Sequence, residues 1–370
     1  KRSGGGASTY GVTVITGGLF QGNRALTCAG GGLFTSNRYY PCDGSFPPTI
    51  GVLVMTDTRF MGNTAQQYGG GLFAESAVTI AQVEFLSNTA QLNAGGVWAI
   101  GAITMTGGLF QANQVLVYGA GGLLAHNRLS MNGTRFVANT AALYAGGASV
   151  RGSADIVNGL FQENMAYGGP VGGLNVAGSL ALTGTQFLGN VATVGGGLWH
   201  SGSSGRIANA LFARNVATTT LGAAMYLSST GNVAVLHTTI ASPTLGGGAA
   251  IYVVAGAVRL TDTLIASYTI GISNAGGTVS ENYTLFSGVA TPRAGAVGVG
   301  ANSFTGTAVF VNPAFGDYHL GLGSAAINAG VNAGVFLDFE GTSRPFGGGF
   351  DIGYDEWGVS LRAYLPAALR

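Results

Sequence analysis

The chain has 370 residues, of which 47% are apolar, 8% charged and 66 are glycine, with a formal net charge of +1. That apolar content excludes a disordered chain, and near-neutral charge without a basic run excludes an electrostatic nucleic-acid binder. No run of about 18 apolar residues occurs, so no membrane-spanning helix is expected.

In chain order, the sequence begins at Lys1 rather than Met, which reads as a mature product whose signal peptide has been removed. A first alternating segment, Tyr10-Gly11-Val12-Thr13-Val14-Ile15, leads to a Phe-x-x-Asn tetrad at Phe20/Asn23. The only cysteines, Cys28 and Cys42, follow in a Pro-containing stretch. They predict a disulfide-pinned loop over 28–48, the alternative being two free thiols. The tetrad then recurs at Phe60/Asn63, Phe85/Asn88, Phe110/Asn113, Phe136/Asn139, Phe161/Asn164, Phe187/Asn190 and Phe212/Asn215, in steps of 25 or 26 residues. Each interval carries a small-residue corner, such as Gly71-Leu72, Gly96-Val97 and Gly122-Leu123. A fixed period of this length is the signature of a solenoid.

Residues 72–96 show how one turn is built. Leu72-Phe73-Ala74, Ala77-Val78-Thr79-Ile80 and Val83-Glu84-Phe85 are three short strands; the last two alternate apolar and polar positions, and no helical segment lies between them. The predicted fold class is therefore all-β, a parallel β-helix in which each strand pairs with its copies about 4.8 Å above and below. The phenylalanines then stack inside, the asparagines stack at one corner, and glycines supply positive φ at another. After Asn215 the pattern weakens but continues through Leu236–Ile240 and Leu260–Ile265, with Ile in the Phe slot, and Phe286 as a last copy. About ten to eleven turns of ~25 residues are expected over 1–290. Residues 291–357 lose the repeat and read as a cap closing the C-terminal end. Residues 358–370 form an apolar, strand-like tail.

The paired Phe-x-x-Asn and Gly-Gly-[Leu/Ala/Val] motifs resemble the repeats of polymorphic outer-membrane-protein adhesins. The stretch Phe310-Val311-Asn312-Pro313, Asp317-Tyr318-His319-Leu320, Gly323 to Gly330, Arg344-Pro345 and Asp351-Ile352-Gly353 resembles the closing signature of choice-of-anchor bacterial β-helix proteins. The resemblance implies a right-handed β-helix that is exported and displayed at a cell surface. It departs from those families in lacking a sorting segment or a barrel after the cap.

Polysaccharide-cleaving β-helices need two or three converging carboxylates with a basic partner. Asp57 and Glu84 lie near one period apart but two residues offset, with Arg59 on one turn; Asp155 and Glu163 fall on different strands of one turn. No residue is therefore predicted as catalytic, and the chain is expected not to be an enzyme. His126, His200, His237 and His319 share no slot, so surface histidines are expected, with no metal site among them. Asp338, Glu340 and Asp351 in the cap offer a Ca²⁺ site, set against pairing of these acids with Arg344 and backbone amides. No other cofactor is expected.

One pattern points outward. The middle residues of the strand after the Gly corner are Phe34, Phe73, Trp98, Leu124, Ser149, Asn175, Trp199, Tyr226 and Tyr252, six of them aromatic. They predict an exposed contact face for sugar rings or another copy of the chain; a one-residue phase shift would instead place them in the core. A second run, Tyr68, Tyr118, Tyr144 and Tyr167, precedes the corner. An open first rung and an apolar tail add an expectation of head-to-tail self-association. The expected function is a non-enzymatic, extracellular structural or adhesive rod that forms filaments. The alternative is a carbohydrate-binding or polysaccharide-degrading β-helix.

Overall fold

Alternation sets the strands, and the Phe-x-x-Asn tetrads set the corners. The computed structural model describes residues 4–36 and 51–358, and the chain forms a parallel β-solenoid of about 11 turns spaced about 25 residues apart. Each of the eight turns up to Leu221 has four strands, one more than the sequence predicted. In one turn they are Leu72–Ala74, Ala77–Ala81, Glu84–Leu86 and Thr89–Ala90. The fourth holds only two residues, too short for alternation to register. The pairing is parallel and in register from turn to turn: Val78 opposes Leu53 and Ile103, and Phe85 opposes Phe60 and Phe110. Leu72, Ala74, Val78, Ile80 and Phe85 all point into one continuous interior core.

The phenylalanines form a single stack. Ring centroids of Phe20, Phe60, Phe85, Phe110, Phe136, Phe161, Phe187 and Phe212 follow one another at 4.5–5.0 Å, with planes within 23° of parallel. Strand spacing fixes that interval, and the stacked geometry adds to the burial of each ring. Ile240 takes the same slot against Phe212, and Ile265 takes it against Phe286.

Three residues after each ring sits an asparagine, and the residue between them at Gly62, Ser87, Ala112, Ala138, Glu163, Gly189 and Arg214 has φ between 52° and 62°. That left-handed step turns the asparagine inward. The asparagines stack at a corner as the spacing predicted, but they are polar groups of the interior rather than of the surface. Asn63, Asn88, Asn113, Asn139, Asn164 and Asn190 are completely buried, and Asn215 nearly so. Burial obliges each amide to find partners within the protein. Asn139 shows the bonding: its Nδ2 donates to Asn164 Oδ1 (2.9 Å) and to the Phe110 carbonyl (2.8 Å). Its Oδ1 accepts from the backbone N–H (3.0 Å) and Nδ2 (2.9 Å) of Asn113. All four hydrogen-bonding positions of the amide are filled. Asn88 repeats the arrangement two turns earlier: its Nδ2 donates to Asn113 Oδ1 (3.0 Å) and the Phe60 carbonyl (2.9 Å), and its Oδ1 accepts from the N–H and Nδ2 of Asn63. The same pattern holds at Asn63, Asn113, Asn164 and Asn190.

The Gly-Gly corners need glycine for a reason other than the one expected. Their second glycines do not adopt positive φ; a Cβ on Gly71 would lie 2.9 Å from the Phe85 ring and 2.8 Å from the Gly96 carbonyl, and one on Gly173 would lie 3.0 Å from Phe187. The corner glycine and the Phe of the next turn are thus halves of one contact. The left-handed residue is the one before the pair, as at Gly69 (φ 59°) and Ala94 (φ 54°).

The C-terminal region also departs from expectation. Solenoid rungs continue past 290 through Thr291–Ala294, Val297–Val299 and Phe304–Thr305, which pair parallel with the turn before. Residues 306–358 then fold back along the flank as a flap. The flap buries Tyr318, Leu320, Ala326, Ile352 and Tyr354 against the outward residues Leu211, Ala213, Ala241, Leu264, Ala266 and Leu285. Lateral packing of this kind depends on contacts far apart in sequence, which the repeat does not encode. Cys28 is buried, and Cys42 with most of the 28–48 loop lies outside the described residues, as does the tail beyond 358.

Asn139→Asp preserves the side chain's shape but removes both donors. The Phe110 carbonyl and Asn164 Oδ1 each lose a buried bond and a charge enters the corner, at about 1–3 kcal/mol per stranded group. Urea unfolding of the full chain should therefore show a loss above about 3 kcal/mol. Arg59→Ala, which removes an exposed 2.6 Å ion pair to Glu84, should cost no more than about 1 kcal/mol.

Candidate functional site

The outward aromatic row divides into a covered part and an open part. Phe34, Phe73 and Trp98 point away from the interior, as the alternation predicted, yet they are buried. The segment after each fourth strand folds over them, bringing Cys28, Ala29, Ala94, Ala120, Ala145 and Val171 into a second apolar layer. Short parallel bridges tie this covering layer together, as from Ala29 to Tyr68 and from Tyr68 to Asn93. Phe34 stacks on Phe73 at 5.1 Å, and Tyr68 meets Trp98 edge-on at 3.9 Å. These three residues are therefore structural, and the predicted contact face is corrected to its other half. Trp199, Tyr226 and Tyr252 remain half-buried; Tyr226 and Tyr252 stack at 5.5 Å, and Trp199 Nε1 donates to Ser228 Oγ at 2.8 Å. Tyr118, Tyr144 and Tyr167 of the second run are exposed.

The second concentration of chemistry lies under the flap. Between the second and third strands, the corner residue of successive turns has positive φ, and at Asn209, His237 and Asp262 it is 49°, 41° and 51°. The flap docks on all three. Asn209 Nδ2 donates to the Leu337 carbonyl (2.6 Å), and Asp262 Oδ1 accepts from the Val331 N–H (2.9 Å). His237 Nδ1 faces the Asp351 carbonyl at 3.3 Å, so that nitrogen carries the hydrogen. Its Nε2 then turns a lone pair toward Asp262 Oδ2, 3.2 Å away in a fully buried and poorly aligned contact. Two facing lone pairs repel, so a proton belongs on the carboxyl. Burial, with Arg344 nearby, lowers the His237 pKa to about 3, and burial raises that of Asp262 to about 7.

The flap acids are acceptors for loop amides. Asp338 Oδ1 takes the N–H groups of Glu340 (3.0 Å) and Thr342 (2.6 Å); Asp351 takes those of Asn328 (2.6 Å) and Trp357 (2.5 Å). Arg344, fully buried, pairs with Glu356 at 2.8 Å. The predicted Ca²⁺ set of Asp338, Glu340 and Asp351 is not brought together. The one group of ligand atoms close enough for a metal among the described residues is His319, Glu340 and Asp355. His319 is already committed there: Nδ1 lies 2.6 Å from Asp317 Oδ1 and Nε2 2.7 Å from Glu340 Oε1. Both ring nitrogens donate, so the ring is an imidazolium without a lone pair for a cation.

Of the remaining candidates, Asp57, Arg59 and Glu84 line one shallow cleft of about 330 Å³. Glu84 is paired with Arg59, and Asp155 is paired with Arg128. The expectation of surface histidines is overturned at His200 and His237, which are buried. The flap-docking corner was missed in the sequence; its only signal is a set of polar, left-handed-tolerant residues in one slot of consecutive turns. No known protein family, curated protein or solved structure matches the chain.

Flap docking should depend on pH through His319. Burial alone would lower its pKa, but the hydrogen bond and charge of Glu340 outweigh burial and raise it to about 10. A raised folded value means that the folded state holds a proton the unfolded state releases. The stabilisation is complete below about 6.5 and is lost as pH climbs through about 10. The thermal midpoint should fall between pH 7 and 10, and His319→Gln should flatten that slope. His237 and Asp262 contribute little between pH 4 and 6.5, because their shifts oppose one another and the pair carries one proton folded or unfolded.

Proposed function

We propose that the chain is a non-catalytic extracellular rod, displayed at a cell surface, that adheres through its flank and stacks end to end with copies of itself. The observation that carries this reading is the chemistry of the first rung. Its strands Ala7–Thr9, Thr13–Thr16 and Leu19–Gln21 pair on one side only among the described residues, with the next turn. Among the described residues this leaves unpaired the backbone edge that the internal rungs use for pairing. Tyr10, Val12 and Val14 are exposed there at 53%, 77% and 67%. A rod whose rungs repeat in register offers a matching edge to another copy, and head-to-tail contacts that do not close make filaments.

Export and display are supported by the resemblance of the Phe-x-x-Asn and Gly-Gly motifs to surface adhesins and of the flap to the choice-of-anchor signature. The Cys28–Cys42 disulfide belongs to the same reading, since such bonds persist in oxidising surroundings. On the flank, Trp199, Tyr226 and Tyr252 form the adhesive stripe, with surface glycans as its partners.

Negative-stain microscopy and sedimentation of the purified chain should show filaments whose mass grows with concentration. Val12→Lys with Val14→Lys should reduce them to single rods, because edge lysines block strand pairing. Single rods at every concentration in the unsubstituted chain would overturn the assembly reading. In the same preparation, Cys28 and Cys42 should alkylate only after reduction.

A further inference from the structure

The asparagine ladder ends at Asn215, and the structure opens at that point. The next slots hold Pro243 and Tyr268, neither of which can continue the amide chain. Adjacent turns are in register at Ala213 and Ala241 and rejoin where Ala223 N–H donates to the Ala249 carbonyl at 2.8 Å. Between those points the strand Val216–Leu221 is the edge of its sheet and pairs only with the preceding turn. The facing segment around Ser242 and Thr244 stands off, leaving a cleft of about 570 Å³. That lies within the range of ~300–1,000 Å³ usual for small-molecule sites.

Its lining has one cation, Arg214, and no carboxylate; Thr220, Ser242 and Thr244 supply hydroxyls. Arg214 is held in place because its Nη2 donates to the carbonyls of Pro313 (2.7 Å) and Ala314 at the flap edge. Its guanidinium also lies against the phenol of Tyr318, behind the cleft lining. The hydroxyl of Tyr268, a residue 1% exposed on the cleft wall, is buried without a partner. Burial, with the Tyr318 phenol nearby, raises the Tyr268 pKa, so this group is a neutral donor. A buried donor without an acceptor on the wall of a polar cleft calls for a ligand that brings acceptors, since it costs about 1–3 kcal/mol unmet.

We propose that this cleft binds an acidic sugar unit, its carboxylate accepting from Arg214 and its ring hydroxyls meeting Thr220, Ser242 and Thr244. The inference is independent of end-to-end assembly. The Val12→Lys, Val14→Lys rods retain the cleft and should bind equally.

Calorimetric titration of the full chain with glucuronate, galacturonate, glucose, galactose and acetate tests it. At least one uronate should bind, with its neutral counterpart and acetate each about tenfold weaker or more, the equivalent of ~1.4 kcal/mol. Gly247 lines the cleft, and a Cβ there meets nothing within 4 Å. Gly247→Trp should therefore fill the space and abolish binding while leaving the thermal midpoint and the flap unchanged. Arg214→Lys should weaken uronate binding about tenfold, because lysine lacks the planar fork. Equal binding of glucose or galactose would remove the role of Arg214, and equal binding of acetate would reduce the cleft to an anion site. Absence of uronate binding, or binding undisturbed by Gly247→Trp, overturns the proposal.

Discussion

The buried side-chain amide of the corner asparagine holds the solenoid in register. A parallel β-helix is a stack of nearly identical rungs, and apolar burial alone would tolerate a slip between them. An asparagine with all four of its hydrogen-bonding positions filled by the turns above and below does not tolerate it, because any slip strands several buried polar groups at once. The Phe stack supplies dry contact area beside it. The two ladders are geometrically coupled, since each Asn donates to the carbonyl of the Phe one turn back, as Asn88 does to Phe60 and Asn113 to Phe85.

That coupling explains why the motifs occur as a pair in sequence. The glycine at the corner faces the phenylalanine of the next turn, and a side chain there would collide with the ring or the neighbouring carbonyl. The Phe-x-x-Asn tetrad and the Gly-Gly corner are thus one contact seen twice along the chain. Low charge follows from the same architecture. Most positions face the core, the covering layer or a neighbouring turn, and isolated charges placed there would pay desolvation.

The period, the strand faces, the Phe stack and the Asn stack were legible because each is a local pattern repeated at constant spacing. Phe34, Phe73 and Trp98 show where legibility ended. Their outward direction followed from alternation, but their burial depends on a layer of small residues, Ala94, Ala120, Ala145 and Val171, that recur at the repeat step yet look like ordinary corner residues in sequence. Composition set 291–357 apart as an end cap, whereas the rungs run on to Thr305 and residues 306–358 lie along the flank. The flap's seat there was not legible, because the groups that hold it, Asn209, His237 and Asp262, are ordinary corner residues until Leu337, Asp351 and Val331 arrive from about 70 to 130 residues away. Asp338 and Asp351 looked like metal ligands for a related reason: sequence shows carboxylates close together but not the amides that occupy them.

The two halves of the molecule are complementary in how they are stabilised. From Asn23 to Asn215 the ladders are complete, and those turns need only the thin covering layer. After Asn215 the amide slot passes to Pro243 and Tyr268, and the Phe slot passes to Ile240 and Ile265. These are the turns along which the flap lies, from Leu211 to Leu285. The flap adds lateral hydrogen bonds where the axial amide ladder has ended: Asn209 donates to the Leu337 carbonyl and Val331 N–H donates to Asp262, while the buried Arg344–Glu356 pair braces the flap from within. A buttress of this kind is rigid where it touches and leaves the adjacent edge free. The cleft at Arg214 sits at the boundary between the two regimes, where the ladder no longer closes the gap between turns and the flap edge reaches only its rim. The same loss of repetition that calls for the buttress therefore also opens the gap between turns in which the Tyr268 hydroxyl is left without a partner.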